Sequence, residues 1–162
     1  PTLSIGAMLR TDHNVKVDID STRLTQVDLP ISAGAGVQWR SSRLTIAGQA
    51  LWRSWSDANA DITTLDGYGS FNTIDLGGGF EYIRNPRRRY QFPIRLGVRY
   101  STLPFAITPG VQPHELELSV GTGTRFAAQR GGIDVGLERA VRSGGGYHER
   151  VWRVLIGITV RP

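Results

Sequence analysis

The chain has no cysteine, a single methionine (Met8) and a single lysine (Lys16) in 162 residues. Without cysteine there is no disulfide framework and no thiolate to act as nucleophile or ligand. No stretch approaches the ~18 consecutive apolar residues that a membrane-crossing helix needs. A transmembrane helix is therefore excluded, and the abundance of glycine with β-branched residues excludes an ordinary helical bundle. With lysine nearly missing, the net charge of +5 is carried by arginine. Those arginines are scattered along the chain, apart from Arg84–Arg89 (R-N-P-R-R-R), and this argues against a nucleic-acid partner. The sequence opens at Pro1 rather than methionine, as a processed chain or a piece of a longer one would.

What is present is alternation. In Glu149–Arg161 the apolar residues Trp152, Val154, Ile156, Ile158 and Val160 take every second position, against Arg153, Leu155, Gly157, Thr159 and Arg161. A period of two over this length predicts a long β-strand with two unlike faces. Seven more stretches repeat it: Thr2–Arg10, Ile31–Arg40, Arg43–Trp55, Asn72–Ile83, Gln91–Ser101, His114–Phe126 and Ile133–Glu138. Thr11–Leu29 alternates weakly at Val15, Val17 and Ile19, and reads either as an extension of its neighbouring strands or as a long loop. The length suits one domain, residues 1–162, of eight antiparallel strands.

The non-apolar face holds charges of both signs at mid-strand, including Asp75 and Asp134. In a soluble β-sandwich these would meet water; in a transmembrane β-barrel they line the lumen and the apolar face meets lipid. The expected connections favour the barrel. Thr11–Leu29, Ser56–Ser70, Thr102–Pro113 and Ser143–His148 fall on one rim, and the shorter Ser41–Ser42, Arg84–Arg89 and Ala127–Arg130 on the other. Aromatic residues toward the strand ends suit interfacial girdles. The expected fold is thus an all-β, antiparallel transmembrane barrel in a bacterial outer membrane, with its C-terminus on the periplasmic side. Its lipid-facing residues would be Trp152, Val154, Ile156, Ile158 and Val160. Its lumen-lining candidates are Glu81, Arg95, Arg99, Glu115, Glu117, Arg125, Glu138 and Arg153.

Leu29–Ser56 (L-P-I-S-A-G-A-G-V-Q-W-R-S-S-R-L-T-I-A-G-Q-A-L-W-R-S-W-S) resembles a strand pair of the long-chain fatty-acid transporter family of outer-membrane channels. Pro93–Tyr100 before Pro104-Phe105, Glu115–Gly123 and Ile133–Arg139 are similar to later pieces of the same family. The resemblance implies a barrel of about fourteen strands, of which this chain would supply the last eight, with passive uptake of hydrophobic compounds such as fatty acids as its activity. The family's plug, kinked strand and ligand site have no counterpart in the sequence, and Arg161-Pro162 stands where the family ends on an aromatic.

No catalytic set emerges. His13, His114 and His148 lie far apart and are assigned to loops, so no metal site is expected. No G-x-S-x-G occurs, and neither Gly77–Gly79 nor Gly144–Gly146 opens a helix that would bind phosphate. No cofactor is expected. The expected partners are the lipid bilayer, a hydrophobic small molecule and other outer-membrane or periplasmic subunits. Two other readings stand beside the channel: a closed, eight-stranded barrel that anchors a complex, and a soluble β-sandwich binding module.

Overall fold

The computed structural model describes residues 1–11, 30–56, 69–87, 91–126 and 130–160, and the backbone alone at 14–19, 22–28 and 57–58. The described chain is all-β apart from one 3-10 turn at Trp55–Ala58. Its strands are β1 (Thr2–Arg10), β2 (Asn14–Ile19), β3 (Thr22–Asp28), β4 (Ser32–Arg40) and β5 (Leu44–Arg53), then β6 (Thr73–Tyr82), β7 (Ile94–Thr102), β8 (His114–Phe126), β9 (Gly131–Gly144) and β10 (Tyr147–Val160). Eight of them form one antiparallel sheet in the order β1-β4-β5-β6-β7-β8-β9-β10, and β2 pairs only with β3.

Thr11–Leu29 resolves in favour of extension. Arg10 stands opposite Ser32 and Asn14 opposite Asp28, pairings of one and the same register on either side of residues outside the described set. β2 and β3 thus prolong the β1–β4 hairpin, with one register shift at Val17/Asp18.

The alternation expected from sequence holds through the sheet. The apolar positions fall on one face and the small or charged positions on the other, because successive side chains of a strand point to opposite sides. Tight turns have local causes. Ser41 accepts from the Leu44 amide at 3.1 Å through its hydroxyl and donates its own amide to the Leu44 carbonyl at 2.8 Å. Between β9 and β10 the chain reverses at Gly145 (φ 61°) and Gly146 (φ 82°), the two left-handed positions a two-residue hairpin turn demands.

Several expectations are corrected. The sheet is open: β1 and β10 are its edges, and no backbone pairing joins them. β9 runs to Gly144, six residues beyond Glu138, because a charge on the apolar side (Arg139) interrupts the sequence pattern without interrupting the ladder. The stretch assigned to a Ser143–His148 loop is mostly strand, leaving a two-residue turn. Residues 83–93 form a connection as long as 103–113, so long and short connections are not fully sorted between the rims; Pro93, lacking an amide donor, delays the start of β7 to Ile94. The Arg84–Arg89 and Ala127–Arg130 segments reach beyond the described residues.

Where the core sits is the informative part. Among the described residues only Ala106 and Ala140 are buried hydrophobic side chains. Of the other buried positions, Pro30, Ser32, Ser54, Gly69, Ser70, Thr73, Asp75 and Pro113 gather at the β2–β3 end, whereas Pro93, Gly123, Gly131 and Gly132 lie toward the opposite end. There the loops are tied together: Ser70 donates to the Trp55 carbonyl at 2.6 Å, the Phe71 amide to the Pro104 carbonyl at 2.8 Å, and Thr108 to the Gly145 carbonyl at 2.9 Å. Trp55 meets Phe105 edge-on at 5.4 Å. Below this rim, each strand's backbone packs only beside its sheet neighbours, and no second layer covers the apolar face among the described residues.

Candidate functional site

The apolar face is the first candidate surface. A globular monomer of this mass exposes about 8000 Å², whereas this chain exposes 11174 Å². Ile5, Leu76, Val98, Leu118 and Val135 lie bare on the face, and exposure is highest on the edge strands, reaching 80% at Val160. An apolar surface of this extent marks contact with lipid or another protein rather than water.

Six of its seven strand aromatic residues fall on two lines, and Phe80 lies between them. Following paired residues, one row crosses the sheet as Ile5, Val37, Gly48, Gly78, Val98, Leu118, Arg139 and Trp152. Toward the rim, Trp52 stands four residues above Gly48, Tyr100 two above Val98, and Trp152 on the row, a fall of four over five strands. Toward the other end, Trp39 lies two below Val37, Tyr82 four below Gly78 and Phe126 eight below Leu118, a fall of six over four strands. The two lines therefore fall by about 0.8 and about 1.5 residues per strand, a mean of about one. With ~3.3 Å per residue and ~4.8 Å between strands, that slope is a strand tilt of about 35° from the normal to the lines. Membrane barrels tilt their strands by about 35–45°.

The polar face is the second candidate surface, and its β6–β10 half is an ion-pair lattice. Arg95 on β7 donates to Glu81 on β6 at 2.6 Å and to Asp134 on β9 at 2.7 Å, and Asp134 also accepts from Arg125 on β8 at 2.9 Å. Arg99 pairs with Asp75 through two guanidinium nitrogens. Arg142 bridges Glu115 at 2.8 Å and Glu149 at 3.5 Å. Arg153 bridges Glu117 at 2.9 Å and Glu138 at 3.7 Å. Two of these, Arg95–Asp134 and Arg153–Glu117, reach over an intervening strand, which small residues permit. Arg95 and Asp134 meet over Gly121 and Gly123 of β8, and Ala140, 2% exposed, lies in register between Glu117 and Val151.

Glu81, Arg95, Arg99, Glu115, Glu117, Arg125, Glu138 and Arg153 thus all lie on the polar face, and each is ion-paired. Asp75, Asp134, Arg142 and Glu149 complete the lattice. The first two are visible in the sequence as mid-strand charges; Arg142 is missed because β9 reads too short. Trp152, Val154, Ile156, Ile158 and Val160 lie together on the apolar face.

The remaining half of the polar face is uncharged at mid-strand. β1, β4 and β5 present Ser4, Gly6 and Met8, then Gly34, Gly36 and Gln38, then Ala47, Gln49 and Leu51. Two open hollows lie over it, one of about 540 Å³ floored by Gly6, Gly36 and Gly77, the other of about 310 Å³ beside Met8, Gly34 and Leu51. Comparison with protein-family models, curated proteins and solved structures returns no match. The site must speak through its own geometry.

Among the described residues, no group of three or more His, Asp or Glu is placed to hold a metal ion. His148, assigned to a loop, lies on β10, and His114 opens β8. His114 stacks against Tyr100 at 6.0 Å, and His148 accepts from Arg150 at 3.2 Å. His13 lies outside the described residues.

Proposed function

We propose that the sheet is the wall of an outer-membrane β-barrel that passes hydrophobic small molecules, fatty acids among them, by passive uptake. The observation that carries this reading is the bare apolar face bounded by two aromatic lines at membrane-barrel tilt. The ion-pair lattice on the opposite face supports it, since a lumen wall must satisfy its charges without a bulk-water shell. The C-terminal end of β10 then lies on the periplasmic side and the tied rim of loops outside. Within the lumen the neutral half, with its glycine-floored hollows, is the path for an apolar solute, and the charged half is the rigid wall.

Barrel closure follows the same geometry. β1 and β10 run antiparallel, and any pairing that keeps lipid-facing residues on one side sets odd positions of β1 opposite even positions of β10. The row beginning at Ile5 reaches β10 at Trp152. A stagger of about one residue per strand over eight strands moves that partner to Val160. In a larger barrel of the fatty-acid-transporter type, upstream strands would stand between the two edges.

The test is uptake by proteoliposomes. The full chain should admit a fluorescent long-chain fatty acid into vesicles, and Gly36→Leu should slow entry several-fold while leaving assembly unchanged. A side chain at Gly36 makes only ordinary contacts, its Cβ lying 3.5 Å from the Gly48 carbonyl oxygen. Entry no faster than into empty vesicles refutes the channel. The lattice's internal satisfaction favours a second reading, a closed eight-stranded anchor for other subunits. A disulfide formed within one chain between Ile5→Cys and Val160→Cys, without uptake, selects it.

A further inference from the structure

The apolar face carries only two charged side chains among the described strand residues, and both are arginine: Arg139 on β9 and Arg150 on β10. Every carboxylate of β6–β10 points to the other face, so neither has an acidic neighbour on its own side. The Arg139 guanidinium lies 5.5 Å from the centre of the Trp152 ring, directly opposite it in register. Arg150 stands opposite Val141, diagonal to Arg139, and touches His148. Diagonal neighbours on an antiparallel pair are ~7–8 Å apart. That is within reach of one tetrahedral anion gripped by two planar, multi-donor guanidinium groups.

Depth argues for the ligand. Below Trp152 the β10 face is unbroken apolar surface to Val160, and above Arg150 the strand rises into the tied rim. The two arginines therefore sit on the upper aromatic line, where hydrocarbon gives way to headgroups. Long arginine stems lie along apolar surface while their heads reach for that boundary. Resting on the membrane-barrel reading above, we infer that Arg139 and Arg150, flanked by Trp152, form an external site for the phosphate of an anionic lipid headgroup in the rim-side leaflet.

The experiment compares the full chain with Arg139→Gln/Arg150→Gln in vesicles of phosphatidylcholine doped with phosphatidic acid, and counts retained phosphatidic acid by native mass spectrometry after detergent extraction. Wild type should retain the lipid about tenfold better than the double variant, and Arg139→Lys/Arg150→Lys should restore part of the difference. Equal retention in wild type and double variant overturns the site while leaving the barrel standing, because insertion is scored separately by protease protection. Displacement by millimolar inorganic phosphate as readily as by lipid also overturns it, since the site would then hold a free aqueous anion. Failure of the wild-type chain to insert into either vesicle removes both the membrane reading and this site.

Discussion

Ile156 is the position at which the lipid-facing assignment is most exposed to test. It is 70% exposed on the apolar face of an edge strand, four residues below Trp152 and four above Val160. The eight steps between those ends cover about 26 Å of strand, or about 20 Å of depth at a ~40° tilt, close to the apolar band of a membrane barrel. Ile156 is then near the bilayer midplane. Ile156→Arg loses little packing, because its neighbours cover less than a third of it, so its cost is almost wholly that of placing a guanidinium in hydrocarbon, about 2–4 kcal/mol. Val160→Arg, at the lower boundary, should cost about 0–1 kcal/mol. Leu155→Arg turns to the polar face beside Arg153 and should cost under about 1 kcal/mol. Reversible urea titration of vesicle-inserted protein reads all three. A peak at Ile156 is the expected outcome. A flat profile, or a chain that tolerates Ile156→Arg in water without detergent, refutes the argument.

Arg95→Met should destabilise by about 1–3 kcal/mol, since it strands Glu81, about one-third exposed and so short of a fully buried charge, and leaves Asp134 with Arg125 alone. Glu81→Gln should cost clearly less, because Arg95 keeps Asp134; equal costs in the same titration would deny the bridging role. Gly145→Ala forces a side chain into a left-handed position 2.5 Å from the Thr108 hydroxyl, whereas Gly146→Ala meets open space. The first should cost about 1 kcal/mol more than the second and hasten proteolysis within 103–113, and identical digestion rates would count against the tied rim. Gly36→Leu should slow fatty-acid entry into proteoliposomes without altering the urea midpoint.

The strands were legible because two-residue periodicity is imposed locally: side chains alternate whatever the strand pairs with. That is why His114–Phe126 is matched at both ends and why the polar-face charges were separable from Trp152–Val160. The misses have physical causes of the same kind. Arg139 broke the pattern for a reason outside the strand, at the edge of the apolar band, and hid β9's upper third together with Arg142. Pro93 shortened β7 by denying a ladder amide, which lengthened a connection expected to be short.

By itself, then, the sequence determined that this protein is an antiparallel β-structure with one apolar and one charged face, since both properties are written residue by residue. Only the tertiary structure decided which carboxylate each arginine takes, because pairs such as Arg95–Asp134 and Arg153–Glu117 join residues 39 and 36 apart and cross an intervening strand. It alone decided that the sheet has free edges at β1 and β10, that most of the buried side chains gather at the loop rim, and that all but one of the apolar-face aromatic residues fall on two tilted lines. Those are consequences of register, and register is set between strands rather than within them.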